Sequence, residues 1–233
     1  MRPDKLVVLA LRRTRALLLQ ERRCQALSVG EVARLNTREA YDLVYGRDDL
    51  LAQYLEAGRL AFYEEVADYC AQLVAQHHRR ASLRVVDLGC GTGHLLFTLW
   101  QRLRSRLSVE LWGIDHAFSG IERAKELLPQ SRLLVADIYS SQLPSDYFDL
   151  VLCTETLEHL HSPEKAVTEI IRICNHSGRA VITVPDGERD HWEGHVNFWT
   201  ASEFRAFLSP HGPCEITLIH DDRVLRATLL NRL

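Results

Sequence analysis

Two acids and a histidine stand close together in the segment Thr154–His161, at Glu155, Glu158 and His159. Carboxylates and an imidazole at this spacing can exchange a proton, or offer oxygen and nitrogen donors to Mg²⁺, Mn²⁺ or Zn²⁺. They follow Tyr147–Glu155, a run that reads as a buried strand, so their side chains can converge just past its carboxyl end. A later stretch, Pro185–Thr200, is dense in His191, Trp192, His195, Phe198 and Trp199. Aromatic and imidazole groups on such a loop fit an acceptor pocket, while Phe198 and Trp199 also suit docking of the next helix.

A second kind of chemistry is written in Leu83–His94. β-formers lead to Asp87, then Gly89, Gly91 and Gly93 at alternate positions, then the apolar run Leu95–Phe97. This is a strand, a tight turn and a helix start. Glycines let the backbone take positive φ and let a ligand approach without a Cβ in the way. The amides at the following helix N-terminus suit an anion, and Asp87 can accept from a cationic or hydroxyl-bearing group. The spacing is G-x-G-x-G behind an acid, not the G-x-G-x-x-G of dinucleotide sites.

This stretch resembles motif I of the class I S-adenosylmethionine-dependent methyltransferases, written (D/E)-x-G-x-G-x-G. Three further segments fall in the order that family needs. Leu111–Asp115 ends in an acid whose carboxylate can accept both ribose hydroxyls, and Asp115 matches the family's adenosyl-ribose acid. Asp137 and Ile138 match the positions that bind the adenine amino group and pack on the ring. Tyr147–Glu155 resembles the F-D-x-V strand and would deliver Thr154 and Glu155 beside the sulfonium. The resemblance covers about residues 83–208. It implies S-adenosyl-L-methionine as cofactor and S-adenosyl-L-homocysteine as product, with Asp87, Gly89, Gly91 and Gly93 also in that site. Tyr41 and Tyr45 resemble the aromatic lid pattern that precedes motif I in many relatives.

The E-x-x-E-H pattern at Glu155, Glu158 and His159 resembles two groups, the ubiquinone-biosynthesis O-methyltransferases and the small-RNA 3′-terminal 2′-O-methyltransferases. In both, these residues can hold a divalent cation. His195 sits where relatives carry H-x-x-F-(F/W)-T, as a fourth ligand or a base. Three readings stand open: a metal site at Glu155, Glu158 and His159, a metal-free histidine base or positioning group, and glutamates that only cap a helix. Glu158, His159 and His195 are the catalytic candidates, and histidine chemistry without metal is carried forward.

The elements that must position these groups follow from periodicity. Helices are expected near 4–27, from Asn36–Glu39 onward, and from 49 to 77, with Gly58 interrupting the last. Ser28–Gly30 and Gly46–Asp48 read as breaks. From Ala81 strands near 83–88, 109–114, 132–136, 148–153 and 179–184 alternate with helices near 94–105, 118–128 and 163–174. A short helix is expected within 140–147 and another helix over 201–208. The runs 215–220 and 223–229 then form a hairpin about Asp221–Asp222. The fold class is α/β, a Rossmann-like doubly wound sheet. The resemblance implies seven mainly parallel strands with an antiparallel strand at the edge. Residues 1–80 are expected to form an N-terminal helical lid and 81–233 the cofactor domain.

The 233 residues carry a net charge of −3 and six scattered cysteines without a C-x-x-C pair. That excludes a polycation overall and a compact disulfide or zinc framework. The short apolar start interrupted by Arg12, Arg13 and Arg15 does not read as a signal peptide, and no window reaches a membrane span. A cytoplasmic protein is expected. The function expected is methyl transfer to an oxygen or nitrogen of a small-molecule acceptor, without membrane or nucleic-acid partner. The alternatives are a metal-using RNA-terminal 2′-O-methyltransferase, to which the basic first helix would contribute, and a non-catalytic cofactor-binding subunit. Oligomeric state is left open.

Overall fold

The computed structural model describes residues 28–230. The helix expected over 4–27 lies outside them. Eight helices are described: α1 (Val29–Ala33), α2 (Arg38–Gly46), α3 (Asp48–Tyr54), α4 (Ala57–His77), α5 (His94–Leu103), α6 (Phe118–Leu127), α7 (Pro163–Ile173) and α8 (Ala201–Leu208). Seven strands interleave with them: β1 (Ser82–Leu88), β2 (Ser108–Asp115), β3 (Arg132–Val135), β4 (Phe148–Thr154), β5 (Cys174–Pro185), β6 (Cys214–Ile219) and β7 (Val224–Leu230).

The strands form one sheet in the order β3-β2-β1-β4-β5-β7-β6, with parallel pairing from β3 through β5. β7 runs antiparallel to both neighbours, so the reversed strand lies one place in from the rim and β6 forms the edge. Alternation along each strand builds two cores. Leu83, Val85, Leu150, Leu152 and Val181 face α4, α5 and α6. Val86, Leu88, Val151, Cys153, Ile182 and Val184 face α7 and α8. Both faces are covered, which is why these strands are apolar almost throughout.

A third, smaller cluster joins the N-terminal helices to the sheet domain through Val32, Val44, Tyr45, Leu50 and Ala117. Burying a side chain such as Val44 or Leu50 contributes about 1.5–3 kcal/mol. Polar ties fix its register: the Ser119 amide, an open donor at the start of α6, donates to Asp42 Oδ1 at 2.8 Å. Arg123 of α6 reaches Asp48.

Local differences from the sequence expectations have physical causes. Ser28, expected as part of a break, caps α1 in a reciprocal box with Glu31. The helix expected over 49–77 is two helices, parted at Leu55 and Glu56, where Glu56 takes an extended ψ of 164°. Gly58 is not the break; a Cβ there would meet nothing within 4 Å. The short helix expected within 140–147 is absent from 141–147; a 3₁₀ turn lies just before, at Ile138–Ser140, started by the Asp137 side chain accepting from the Tyr139 amide. His220, Asp221 and Asp222 turn the β6–β7 hairpin with φ of 52°, 56° and 57°.

Candidate active site

The carboxyl ends of β1, β2 and β4 open into one cavity of about 820 Å³. The chain leaves β1 through Gly89, Gly91 and Gly93, at φ 82°, 50° and 77°. At Gly89 a Cβ would also lie 2.4 Å from Thr156 Oγ1, so conformation and packing both demand glycine. The turn is anchored to β2: the Gly89 and Cys90 amides donate to the Ile114 carbonyl at 2.8 and 2.9 Å. The Gly91 amide donates to Asp115 Oδ2, and the Ala117 amide to Asp115 Oδ1, both at 2.8 Å. The Asp115 carboxylate is thus fixed, and each oxygen keeps a lone pair for a further donor.

Asp87 is 1% exposed, lines the cavity, and its Oδ1 has no hydrogen-bond partner. Burial, then the charge of Asp115, pushes its carboxyl up to about 7. An open buried carboxyl oxygen suits a cationic ligand group. Arg59 supplies the opposite charge, its guanidinium 4.2 Å from the centre of the Tyr54 ring. A donor for a carboxylate, an acceptor for an ammonium and a fixed acid for a vicinal diol are what the amino-acid and ribose parts of S-adenosylmethionine require. The residues fit that cofactor.

Beyond the end of β4 lies a cluster of acids and imidazoles. Glu158 is 1% exposed and neither carboxyl oxygen has a partner. Burial, then the charge of Glu155, pushes its carboxyl well above the usual range. Glu158, His159 and His195 each offer a donor atom, all within 4.8 Å of one another. Burial, then the neighbouring His195, pushes the His159 imidazole down to about 3. The His195 loop is stitched to this segment: the Val196 and Asn197 amides donate to the Glu158 carbonyl at 2.8 and 3.1 Å. Asn197 Nδ2 donates to the carbonyls of Leu157 and Leu160 at 3.1 and 2.6 Å.

Glu155 stands apart from the three. It sits at φ 48°, a left-handed conformation that costs a non-glycine residue energy and often marks a functional turn. Its Oε1 accepts from Thr183 Oγ1 at 3.0 Å, and burial pushes its carboxyl up to about 7 despite the nearby Arg59. The metal grouping expected from the sequence, Glu155, Glu158 and His159, therefore differs from the grouping in space, where His195 takes the place of Glu155.

Among the other expected residues, Asp137, Ile138, Thr154 and Tyr41 line the cavity, and Gly93 does not. Gly93 caps α5, with Ala124 Cβ 3.0 Å from where its own would be. The Tyr41 hydroxyl lies 3.4 Å from both ring nitrogens of His159. Tyr45 packs above the glycine turn, its hydroxyl 3.2 Å from a Gly91 Cβ position. Trp199 packs on Phe204 and Phe207, so it docks α8, whereas Phe198 is exposed. Sequence reasoning missed Arg59, Asn197 and Asp190, whose carboxylate lies against His195 Nδ1. Arg59 has no local signal, being one more arginine at the start of a helix.

A family model described as a methyltransferase domain matches residues 86–182. The mitochondrial ubiquinone biosynthesis O-methyltransferase of Schizosaccharomyces pombe is 25% identical over 172 residues, covering 71% of this chain and 58% of that protein. The chain spans roughly half the length of the curated relatives it matches. The citrinin polyketide synthase CMeT domain shares the fold at TM-score 0.69 and 15% identity, over 87% of this chain and 65% of that one. The plantazolicin methyltransferase BpumL, solved in complex with SAH, shares it at TM-score 0.65 and 15% identity, over 87% and 98%.

Proposed function

We propose, for a chain that carries a class I S-adenosylmethionine-dependent methyltransferase domain, that it methylates a hydroxyl oxygen of a small-molecule acceptor. The observation that carries this reading is Glu158, buried with both oxygens open and gathered with His159 and His195 at the cofactor cavity. A hydroxyl must give up its proton as the O–C bond forms, and the imidazoles of the cluster can take it; an amine that is already neutral can attack without that step.

S-adenosylmethionine, when bound, supplies a methyl group activated by its sulfonium. Asp115 accepts from the ribose hydroxyls, Asp87 from the ammonium, and Arg59 donates to the carboxylate. Asp137 and Ile138 hold the adenine. Tyr41 and Tyr45 cover the donor and exclude water, as part of a lid that we assign to the N-terminal segment, residues 1–80, whose helix α4 also packs on the sheet, with 81–233 as the cofactor domain. The acceptor oxygen forms the new O–C bond as the S–C bond breaks, and its proton passes to an imidazole nitrogen of the cluster. Alignment provides the larger part of the acceleration.

One observation favours a second reading of the same cluster. Two imidazoles and a carboxylate within 4.8 Å fit a divalent cation. Glu158, His159 and His195 would hold it, and it would supply Lewis acidity to the acceptor oxygen. The scattered cysteines support a cytoplasmic location. No helix among the described residues is long and apolar enough to cross a membrane.

The test is release of S-adenosylhomocysteine on incubation with S-adenosylmethionine and panels of hydroxylated small molecules, amines and RNA 3′ ends. Turnover confined to hydroxylated small molecules is expected. Turnover confined to amines or to RNA would overturn the reading.

A further inference from the structure

Which imidazole takes the acceptor proton is decided by a residue that touches neither substrate. His195 Nδ1 lies 2.5 Å from Asp190 Oδ2, with both side chains largely buried, 10% and 16% exposed. The other carboxylate oxygen is engaged as well: the Trp192 amide donates to Asp190 Oδ1 at 3.3 Å. Each oxygen of Asp190 therefore has a fixed partner, and a carboxylate can only accept. The proton between Asp190 and His195 must sit on Nδ1, which leaves the Nε2 lone pair as the free one.

The ring is also held in place. The His195 amide donates to the Trp192 carbonyl at 3.1 Å, closing the loop beneath it. The Trp192 and His159 rings flank it at centroid distances of 4.7 and 4.8 Å, both edge-on. His159 has no carboxylate at hydrogen-bond distance among the described residues; its ring meets Glu158 at 3.8 Å, the Tyr41 hydroxyl at 3.4 Å and the Gly194 backbone. Of the two imidazoles, His195 is the one oriented by an acid behind it, the arrangement that fixes bases and metal-ligating histidines alike.

We propose that Asp190 is a positioning residue that locks His195 in the Nδ1–H form and presents its Nε2 to the acceptor hydroxyl. This rests on the proposed O-methylation. The acceptor O–H proton then goes to His195 Nε2 while the oxygen pair forms the bond to the methyl carbon. Asp190 keeps accepting from the Nδ1–H and so holds the ring in place while Nε2 takes the proton.

The local hydrogen bonds also dictate what Asp190→Asn does. The Trp192 amide keeps the amide oxygen as its acceptor, so the amide nitrogen, a donor, turns towards His195 Nδ1. The imidazole must then move its proton to Nε2, the wrong side for a base.

The experiment is ¹⁵N-histidine NMR on the full chain with and without S-adenosylhomocysteine, together with steady-state kinetics. In the wild type, His195 is expected as the Nδ1–H tautomer, identified by the signals lost in His195→Gln. Asp190→Asn should convert it to Nε2–H and lower kcat by about 10²–10³-fold. KM and S-adenosylhomocysteine affinity should stay within about twofold, and Asp190→Glu should recover part of the rate. A wild-type Nε2–H tautomer overturns the proposal whether or not an acceptor is found, and does not need a folded variant. The expected tautomers with an unchanged kcat in Asp190→Asn overturn the positioning role while leaving O-methylation standing. An absence of turnover on any hydroxylated acceptor, with the tautomers as expected, removes the reading it rests on and with it the catalytic role.

Discussion

Asn36 Nδ2 donates to the His159 carbonyl at 2.8 Å, tying the turn between α1 and α2 to the segment that carries Glu158 and His159. Asn36 holds a left-handed φ of 47°, which asparagine tolerates better than most residues. The helices over the cavity are thus latched to the acid–imidazole cluster itself, so the placement of those helices and the cluster geometry are coupled.

Limited proteolysis reads that latch. S-adenosylhomocysteine should slow cleavage within residues 28–50, because a ligand that binds the closed form draws the population towards it. Asn36→Ala should speed cleavage of the free protein by about fivefold, the equivalent of roughly 1 kcal/mol for one hydrogen bond. Identical cleavage with and without ligand would reduce these helices to packing elements.

Asp87 sets a pH dependence on cofactor affinity. Burial, then the charge of Asp115, pushes its carboxyl up to about 7 in the free protein, above the ordinary aspartate range. A bound ammonium favours the ionised form and lowers that value, so binding releases a proton. Affinity should therefore hold above pH 7 and fall as pH drops through it, measured by calorimetry in buffers of differing ionisation heat. In the free protein the sign is opposite: the raised value makes ionisation unfavourable to folding, so stability is lost as pH rises from about 4 to about 7. Asp87→Asn should raise the free protein's Tm at pH 8 while removing most cofactor affinity.

Arg59 should matter for the cofactor and little for the fold. Replacing it by methionine removes the charged donors but keeps an apolar stem over Tyr54. Affinity for S-adenosylhomocysteine should drop by about tenfold or more, as expected for about 1.5–3 kcal/mol of hydrogen bonding to a charged group. An unchanged affinity would place the cofactor's carboxylate elsewhere.

Chelation separates the two readings of the cluster. With His195 as base, EDTA should leave turnover unchanged, and His195→Ala should cost roughly 10²–10⁴ in rate. With a cation on Glu158, His159 and His195, EDTA should abolish turnover without touching cofactor affinity. Glu158→Gln should then behave like chelation, since an amide binds cations more poorly than a carboxylate.

The seven strands, the glycine turn and the acids at the strand ends were legible because they obey local rules. β-rich runs end in Asp87, Asp115 and Asp137, and only glycine tolerates the turn at Gly89. The acceptor side was legible by residue type but not by grouping. Glu155 and Glu158 are neighbours in sequence, yet Glu155 turns to Thr183 while His195 arrives from a later loop. What selects His195 is a set of hydrogen bonds from Val196 and Asn197 to Leu157, Glu158 and Leu160, which no spacing rule encodes. Arg59 escaped notice for the same reason, since its place is set by the bend at Leu55 and Glu56 and by stacking on Tyr54.

The central claim is that the cavity at the ends of β1, β2 and β4 binds S-adenosylmethionine through Asp87, Arg59 and Asp115. Titration calorimetry with S-adenosylhomocysteine tests it most directly. The account expects one site per chain with micromolar affinity, about −8 kcal/mol. Asp115→Ala should weaken binding by roughly 1–3 kcal/mol through the lost charge-assisted hydrogen bonds. No heat of binding to the wild-type protein, or an affinity untouched by Asp115→Ala, would contradict it.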